Sequence, residues 1–235
     1  MTAYIAEFVG TALLLLLINS LVANATLAKS GQKGAGSIQI CIACGFAVMT
    51  CAFIFGEASG AHFNPAFTIA MAVNGTFAWS QVPGYLAAQF AGAFLGACIT
   101  YILYKDHFDA TDDPATILGV FSTSPAIRNI PRNLMSEAVG TFILVFGCLG
   151  MGNVTGLPAG IDKLYLCGII ILVGMSVGGL TGFAINPARD LGPRIAHAVL
   201  PIKNKGGSDW GYALVPIVGP IIGGLLAVGL YNLIW

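Results

Sequence analysis

Ser59-Gly60-Ala61-His62-Phe63-Asn64-Pro65-Ala66 and Thr181-Gly182-Phe183-Ala184-Ile185-Asn186-Pro187-Ala188 are two copies of one pattern, each opening on a small residue and Gly and closing on Asn-Pro-Ala. Asn is a favoured helix N-cap and Pro a favoured first helical residue, so each copy reads as the start of a helix. The apolar runs that follow, Phe67 to Val73 and Ile195 to Leu200, are too short to cross a hydrocarbon core of roughly 30 Å at a rise of about 1.5 Å per residue. The spacing therefore predicts two half-helices.

Composition places them in a membrane. Hydrophobic residues make up 57% of the chain and charged residues 9%, with zero net charge, where a soluble domain carries roughly 25% charged residues. No basic stripe or acidic block points to nucleic acid. The first apolar run, Ile5 to Leu27, is long enough to stay in the bilayer, so no cleavable signal is expected. The six cysteines (Cys41, Cys44, Cys51, Cys98, Cys148, Cys167) all fall in apolar stretches and read as reduced core residues. No metal cluster accompanies His62 or His197, and neither a metal nor a cofactor is expected. No nucleophile, base and orienting group converge, so the sequence does not read as an enzyme.

Outward from the two copies, full-length spans are expected at Tyr4–Leu27, Ile38–Phe55, Val82–Tyr104, Leu134–Met151, Leu164–Leu180 and Tyr212–Ile234. Gly92 and Gly96 give the third span a small-xxx-small spacing suited to close helix contact. Lys105 to Pro131 is the longest polar segment and reads as the connection between halves. Beyond it, Glu137-Ala138-Val139-Gly140-Thr141 repeats Glu7-Phe8-Val9-Gly10-Thr11. The chain thus divides into a first half (1–104), a connecting loop (105–131) and a second half (132–235), which together form one pore-forming domain. Three full spans per half is an odd number, so the second half enters the membrane from the opposite face, as an inverted repeat. The half-helices then meet near the midplane, where irregular backbone is tolerated only if it is buried or lines a water-filled cavity. The fold class expected is an all-α polytopic membrane protein with six transmembrane helices and two re-entrant half-helices.

Two half-helices meeting head to head bring two positive dipole ends and the amides of Asn64 and Asn186 to one place, a site that repels cations and binds a neutral oxygen. The residues leading in would expose the carbonyls of Gly60, Ala61, His62, Gly182, Phe183 and Ala184. Arg189 follows the second Asn-Pro-Ala directly, where the first copy has Phe67. Beside a narrow passage it would bind hydroxyls or carbonyls; alternatively it pairs with Asp190, which could also orient the guanidinium or cap the half-helix. Glu7 and Glu137 are buried acids, read either as structural acceptors for re-entrant backbone or as proton-coupling groups of a secondary transporter. Their symmetric placement favours the structural role.

The paired Asn-Pro-Ala boxes (Asn64-Pro65-Ala66 and Asn186-Pro187-Ala188), the Glu-x-x-Gly-Thr repeats and the inverted three-span halves resemble the aquaporin, or major intrinsic protein, family over essentially the whole chain. Asp190 directly after Arg189, and Pro216-Ile217 in the sixth span, resemble the glycerol-facilitator branch. The resemblance implies a right-handed bundle, a homotetramer with one pore per subunit, cytoplasmic termini in the cell membrane, and a four-position filter on Cys44, Gly174, Phe183 and Arg189. Gly174 would leave room for a carbon backbone. Cys44 departs from the Trp usual in bacterial glycerol facilitators and should widen the filter. Implied solutes are glycerol, related polyols, dihydroxyacetone and water, with protonated lactic acid or urea as alternatives. The Lys and Arg distribution alone (Lys29, Lys33, Lys105, Arg128, Arg132, Lys203 and Lys205 against Lys163) favours the reverse orientation.

Overall fold

The computed structural model describes residues 1–235, all helix and loop. In chain order the helices are α1 (Thr2–Thr26), α2 (Gly36–Ser59), α3 (Pro65–Val73), α4 (Val82–Leu103), α5 (Lys105–Asp109), α6 (Pro114–Phe121), α7 (Ile130–Met151), α8 (Ile161–Thr181), α9 (Pro187–Val199) and α10 (Val215–Ile234). Six of them (α1, α2, α4, α7, α8 and α10) are long and apolar enough to span a membrane. α3 and α9 are the half-helices.

Their placement interlocks the two halves. α1 packs on α4 and α7 on α10, the equivalent pairs, while α2 packs on α8 across the pseudo-twofold. α3 lies against α10, and α9 against α4. Each half-helix is therefore supported by the third span of the opposite half, and the first and second halves are repeats in sequence without being separate packing units.

Two differences from the sequence reading are informative. α9 has 13 residues, well beyond the apolar run Ile195 to Leu200. Its first two turns carry Arg189, Asp190 and Arg194, all buried, so an apolar-run criterion misses them. The 105–131 segment is more than a polar connection. It contains α6, whose N-cap Asp113 accepts hydrogen bonds from the backbone N–H groups of Ala115 and Thr116, with Pro114 at the first helical position. Ile117, Val120 and Phe121 of α6 are fully buried beside Phe108 and Ala196. The Asp113-Pro114 start signal and the following apolar residues were present in the sequence; the surrounding aspartates masked them.

Close packing at the two equivalent interfaces is set by glycine pairs. A methyl group at Gly92 would lie 2.3 Å from the Phe8 carbonyl oxygen, and one at Gly96 2.4 Å from that of Ala12. On the other side, a methyl at Gly219 would lie 2.9 Å from the Leu134 carbonyl oxygen, and one at Gly223 2.0 Å from that of Ala138. In each case the obstacle is backbone, which cannot rotate away, so any side chain separates the helices. In a bilayer, contact between helices is driven by such packing and not by the hydrophobic effect. Gly96→Ala and Gly223→Ala are each expected to destabilise the fold by roughly 1–3 kcal/mol, the range for overpacking a tight interior. The check is the thermal midpoint of the detergent-solubilised protein; Gly229→Ala, at a position with open space around it, should leave it unchanged.

Candidate pore and selectivity site

The two half-helices begin where the repeated pattern puts them. The Asn64 side-chain oxygen accepts from the N–H groups of Ala66 (2.9 Å) and Phe67 (3.5 Å), and that of Asn186 from Ala188 (2.9 Å) and Arg189 (3.2 Å). The amide nitrogens cross between repeats: Asn64 Nδ2 donates to the Ile185 carbonyl and Asn186 Nδ2 to the Phe63 carbonyl, both at 2.8 Å. An Asn amide carries two donors, so each Asn keeps one N–H without a protein partner. Asn64 and Asn186 both line the cavity described below, and the spare donors belong to that space.

The backbone leading into each Asn has a conformation that sequence patterns do not announce. Gly60 (φ 80°), Ala61 (53°) and Phe63 (49°) are left-handed, and so are Gly182 (81°), Phe183 (39°) and Ile185 (44°). Non-glycine residues in this region cost of order 1–3 kcal/mol each and persist only when their surroundings hold them there. Buried carboxylates do the holding. Glu7 accepts from His62 N (2.9 Å), Phe63 N (2.7 Å), Ser59 Oγ (2.7 Å) and Gln89 Nε2 (2.7 Å). Glu137 accepts from Ala184 N (3.1 Å), Ile185 N (2.7 Å) and Thr181 Oγ1 (2.7 Å). Neither acid faces the cavity. The Gly of each Glu-x-x-Gly pair completes the seat: a methyl at Gly10 would collide with the Phe63 ring at 2.2 Å, and one at Gly140 with the Ile185 side chain at 2.8 Å. With the Phe63 and Ile185 carbonyls bound to Asn, those of Gly60, Ala61, His62, Gly182, Phe183 and Ala184 have no partner in the protein.

These groups line a single cavity of about 1040 Å3. Its wall runs from Ser37, Ile38 and Ser124 on the α6 side to Met151, Asp162 and Lys163 at the opposite end. Cys44, Gly174, Phe183 and Arg189 all lie on it. One Arg189 N–H group points to the Phe121 carbonyl at 3.4 Å, and its other donors have no protein partner. Asp190 neither pairs with Arg189 nor caps α9. Its carboxylate binds Thr123 N and Oγ1 (both 2.8 Å) and Arg194 (Nε 2.8 Å, Nη2 3.0 Å), while Arg194 also donates to the carbonyls of Ser208, Asp209 and Thr123. Asp190 and Arg194 thus fasten the segment after α6 beside the pore, which sets the carbonyl that meets Arg189. The segment itself, through Ser122, Thr123 and Ser124, forms part of the wall together with Gly119 of α6, a contribution absent from the sequence reading.

Three of the cysteines read as core residues, Cys41, Cys44 and Cys148, face this cavity, and all six are free thiols. Gly174 is not an open notch. A methyl there would lie 2.8 Å from Cys41 Sγ and 3.0 Å from Phe183 Cζ, so the room left by the missing side chain is already occupied. His62 bonds Thr68 Oγ1 at 3.1 Å inside a ring of Phe67, Phe77 and Tyr85, and His197 bonds Ser208 Oγ at 2.8 Å.

A cavity of this kind within a bundle of six apolar helices, lined by the re-entrant backbone where two half-helices meet, defines a membrane channel. Residues 1–231 match the major intrinsic protein family, and the chain belongs to it. It is 49% identical over 232 residues to a probable glycerol uptake facilitator protein of Thermotoga maritima, covering 99% of each chain. It is also 49% identical to the glycerol uptake facilitator protein of Bacillus subtilis, covering 99% of this chain and 84% of that one. The crystal structure of the aquaglyceroporin from Plasmodium falciparum superposes with a TM-score of 0.86 at 29% identity, over 98% of this chain and 95% of that one.

The grip of Glu137 on the second re-entrant segment yields a test. In Glu137→Gln one oxygen is replaced by an NH2 group that would face a backbone N–H, donor against donor. Hydrogen bonds to charged groups are worth about 1.5–3 kcal/mol each, so Glu137→Gln is expected to lose most of its folded yield in detergent, read by size-exclusion chromatography. A well-folded variant that loses a proton-gradient dependence of solute uptake shown by the wild type would instead mark Glu137 as a coupling group.

Proposed function

We propose that the protein is a passive facilitator for glycerol and related small polyols or carbonyl compounds such as dihydroxyacetone, passing water and excluding protons and ions. The observation that carries this reading is the mixed lining of the cavity. It offers six unpartnered carbonyls, the spare N–H groups of Asn64 and Asn186, and the free donors of Arg189. It also offers apolar surface, from Leu14, Ile18, Cys44, Val48 and the Phe183 ring. A polyol has the matching shape, with hydroxyls along one edge and C–H groups along the other, and its hydroxyls replace lost water on both donor and acceptor sides. The names of the relatives support the same substrate.

Ion exclusion follows from the same groups. The positive ends of α3 and α9 point at the crossing, and an N–H donor on each Asn holds a water oxygen while offering it no acceptor, which breaks a proton relay at that point. Arg189 adds a full positive charge to the cavity wall. Filter roles for Cys44, Gly174, Phe183 and Arg189 belong to this reading. So do a homotetramer, in keeping with the family, and cytoplasmic termini. Several cations on the opposite face are tied to local partners: Lys105 to Asp109, Arg128 to Asp209, and Lys205 to the carbonyls of His197, Ala198 and Leu200. Lys163, on the other face, is paired with Asp162 in the same way, so local pairing leaves the balance of the charge count as it stands.

Stopped-flow light scattering on proteoliposomes tests the function. Fast swelling with glycerol and dihydroxyacetone, unchanged by a proton gradient, is the expected result; uptake that collapses with the gradient would make the protein a coupled transporter. Urea and lactic acid at low pH, included in the same series, rank the alternative neutral solutes. Arg189→Ala is expected to keep glycerol flux and raise proton or cation leak, measured with an internal pH dye.

A further inference from the structure

We infer that Cys41, one helical turn before Cys44 on α2, is a specificity-determining wall of the filter and the group that fills the place left vacant by Gly174. The inference rests on the filter reading above and changes which side chain sets the width. Cys41 Sγ occupies the position a methyl group of residue 174 would contest at 2.8 Å, and the same methyl would meet Phe183 Cζ at 3.0 Å. The Phe183 ring also covers Gly178, whose methyl would lie 2.7 Å from Cδ1. The ring therefore lies across two glycines of α8 with the Cys41 thiol at its tip. Cys41 is 4% exposed, and its remaining surface borders the cavity together with Cys44, Gly174, Phe183 and Arg189.

This arrangement gives Cys41 two effects on a passing solute. It takes up the space against Gly174 that a side chain there would otherwise fill, and it stops the Phe183 ring from swinging toward α2. Cys41 and Cys44 stand three residues apart, the spacing that puts two side chains on one helix face. Together they make a compact, polarizable, weakly hydrogen-bonding surface, suited to the C–H edge of a linear polyol whose hydroxyls are held by Arg189 and the re-entrant carbonyls. The family resemblance singles out Cys44 alone; the packing of α2 on α8 shows that the thiol before it faces the same space. The solute class this wall admits is the short linear polyol, with Cys41 setting the limit on bulk.

The test compares flux of glycerol, erythritol and xylitol through Cys41→Ala, Cys41→Leu and Phe183→Ala in proteoliposomes. A methylene-sized change in a fitted apolar site alters discrimination by roughly 10-fold or more. Cys41→Ala should raise the erythritol-to-glycerol flux ratio by about that factor, and Cys41→Leu should lower glycerol flux by at least as much while water flux falls less. An unchanged ratio in Cys41→Ala with an altered ratio in Phe183→Ala overturns the assignment of Cys41 and leaves the filter standing. An unchanged ratio in both removes the filter reading, and the inference with it. Should Cys41→Ala fail to fold, methyl methanethiolsulfonate on Cys44→Ser supplies the second measurement, each protein being compared with its own untreated flux. Modification of Cys41, confirmed by mass spectrometry, should block glycerol, a reductant should restore it, and the Cys41→Ser, Cys44→Ser double variant should be insensitive. A Cys41 that resists the reagent, or one modified without loss of flux, overturns the inference.

Discussion

Two buried carboxylates hold two strained backbone segments in the middle of a membrane, and most of the architecture follows from that constraint. An acid in hydrocarbon is costly unless every oxygen is used. A re-entrant backbone with left-handed alanine, phenylalanine and isoleucine is costly unless it is held. Each solves the other's problem: Glu7 takes the N–H groups of His62 and Phe63, and Glu137 those of Ala184 and Ile185. With the N–H groups turned toward the acids, the opposite side of the segment is left with carbonyls that have only a passing solute to bond.

The two segments are then locked to each other by the exchange of Asn64 to Ile185 and Asn186 to Phe63. These bonds run between repeats, as do the contacts of α3 with α10 and α9 with α4. The pore is consequently a property of the pair of halves, and neither half contains a complete one. The symmetry has limits. Gln89 completes the Glu7 site without a side-chain amide in the corresponding place on Glu137, and Arg189 answers to Phe67. The segment after α6 enters only one side, fastened through Asp190 and Arg194. The crossing of the two Asn residues is symmetric and suits exclusion of charge, while the asymmetric ring around Arg189 suits discrimination among neutral solutes.

Much of this was legible in the chain itself. Six spans follow from hydropathy, two half-helices from Asn-Pro starts followed by runs too short to cross, and inversion from an odd number of spans per half. The twin Glu-x-x-Gly-Thr segments follow from repetition. These are local or periodic features, set by residue type, capping chemistry and the thickness of a bilayer, and they need no knowledge of what touches what. The family resemblance rests on the same motifs and extends over the whole chain.

What the tertiary structure alone decided concerns contacts between residues far apart in sequence. The left-handed φ angles of Ala61, Phe63, Phe183 and Ile185 carry no sequence signal, because nothing in those residue types favours them; they exist through the grip of distant acids. Asp190 looked like a partner for its neighbour Arg189, but adjacent helical residues point in different directions, and the carboxylate meets Arg194 one turn on and Thr123 across the loop. Gly174 looked like free space, because a sequence shows a missing side chain and not the neighbour that moves into it. Here that neighbour is Cys41, brought there by the packing of α2 against α8. The sequence by itself determined that a two-ended pore forms and which half-helices build it, through signals each segment carries alone. The width and lining of that pore were decided by which side chains fill the gaps between helices, a matter of three-dimensional packing that no single segment encodes.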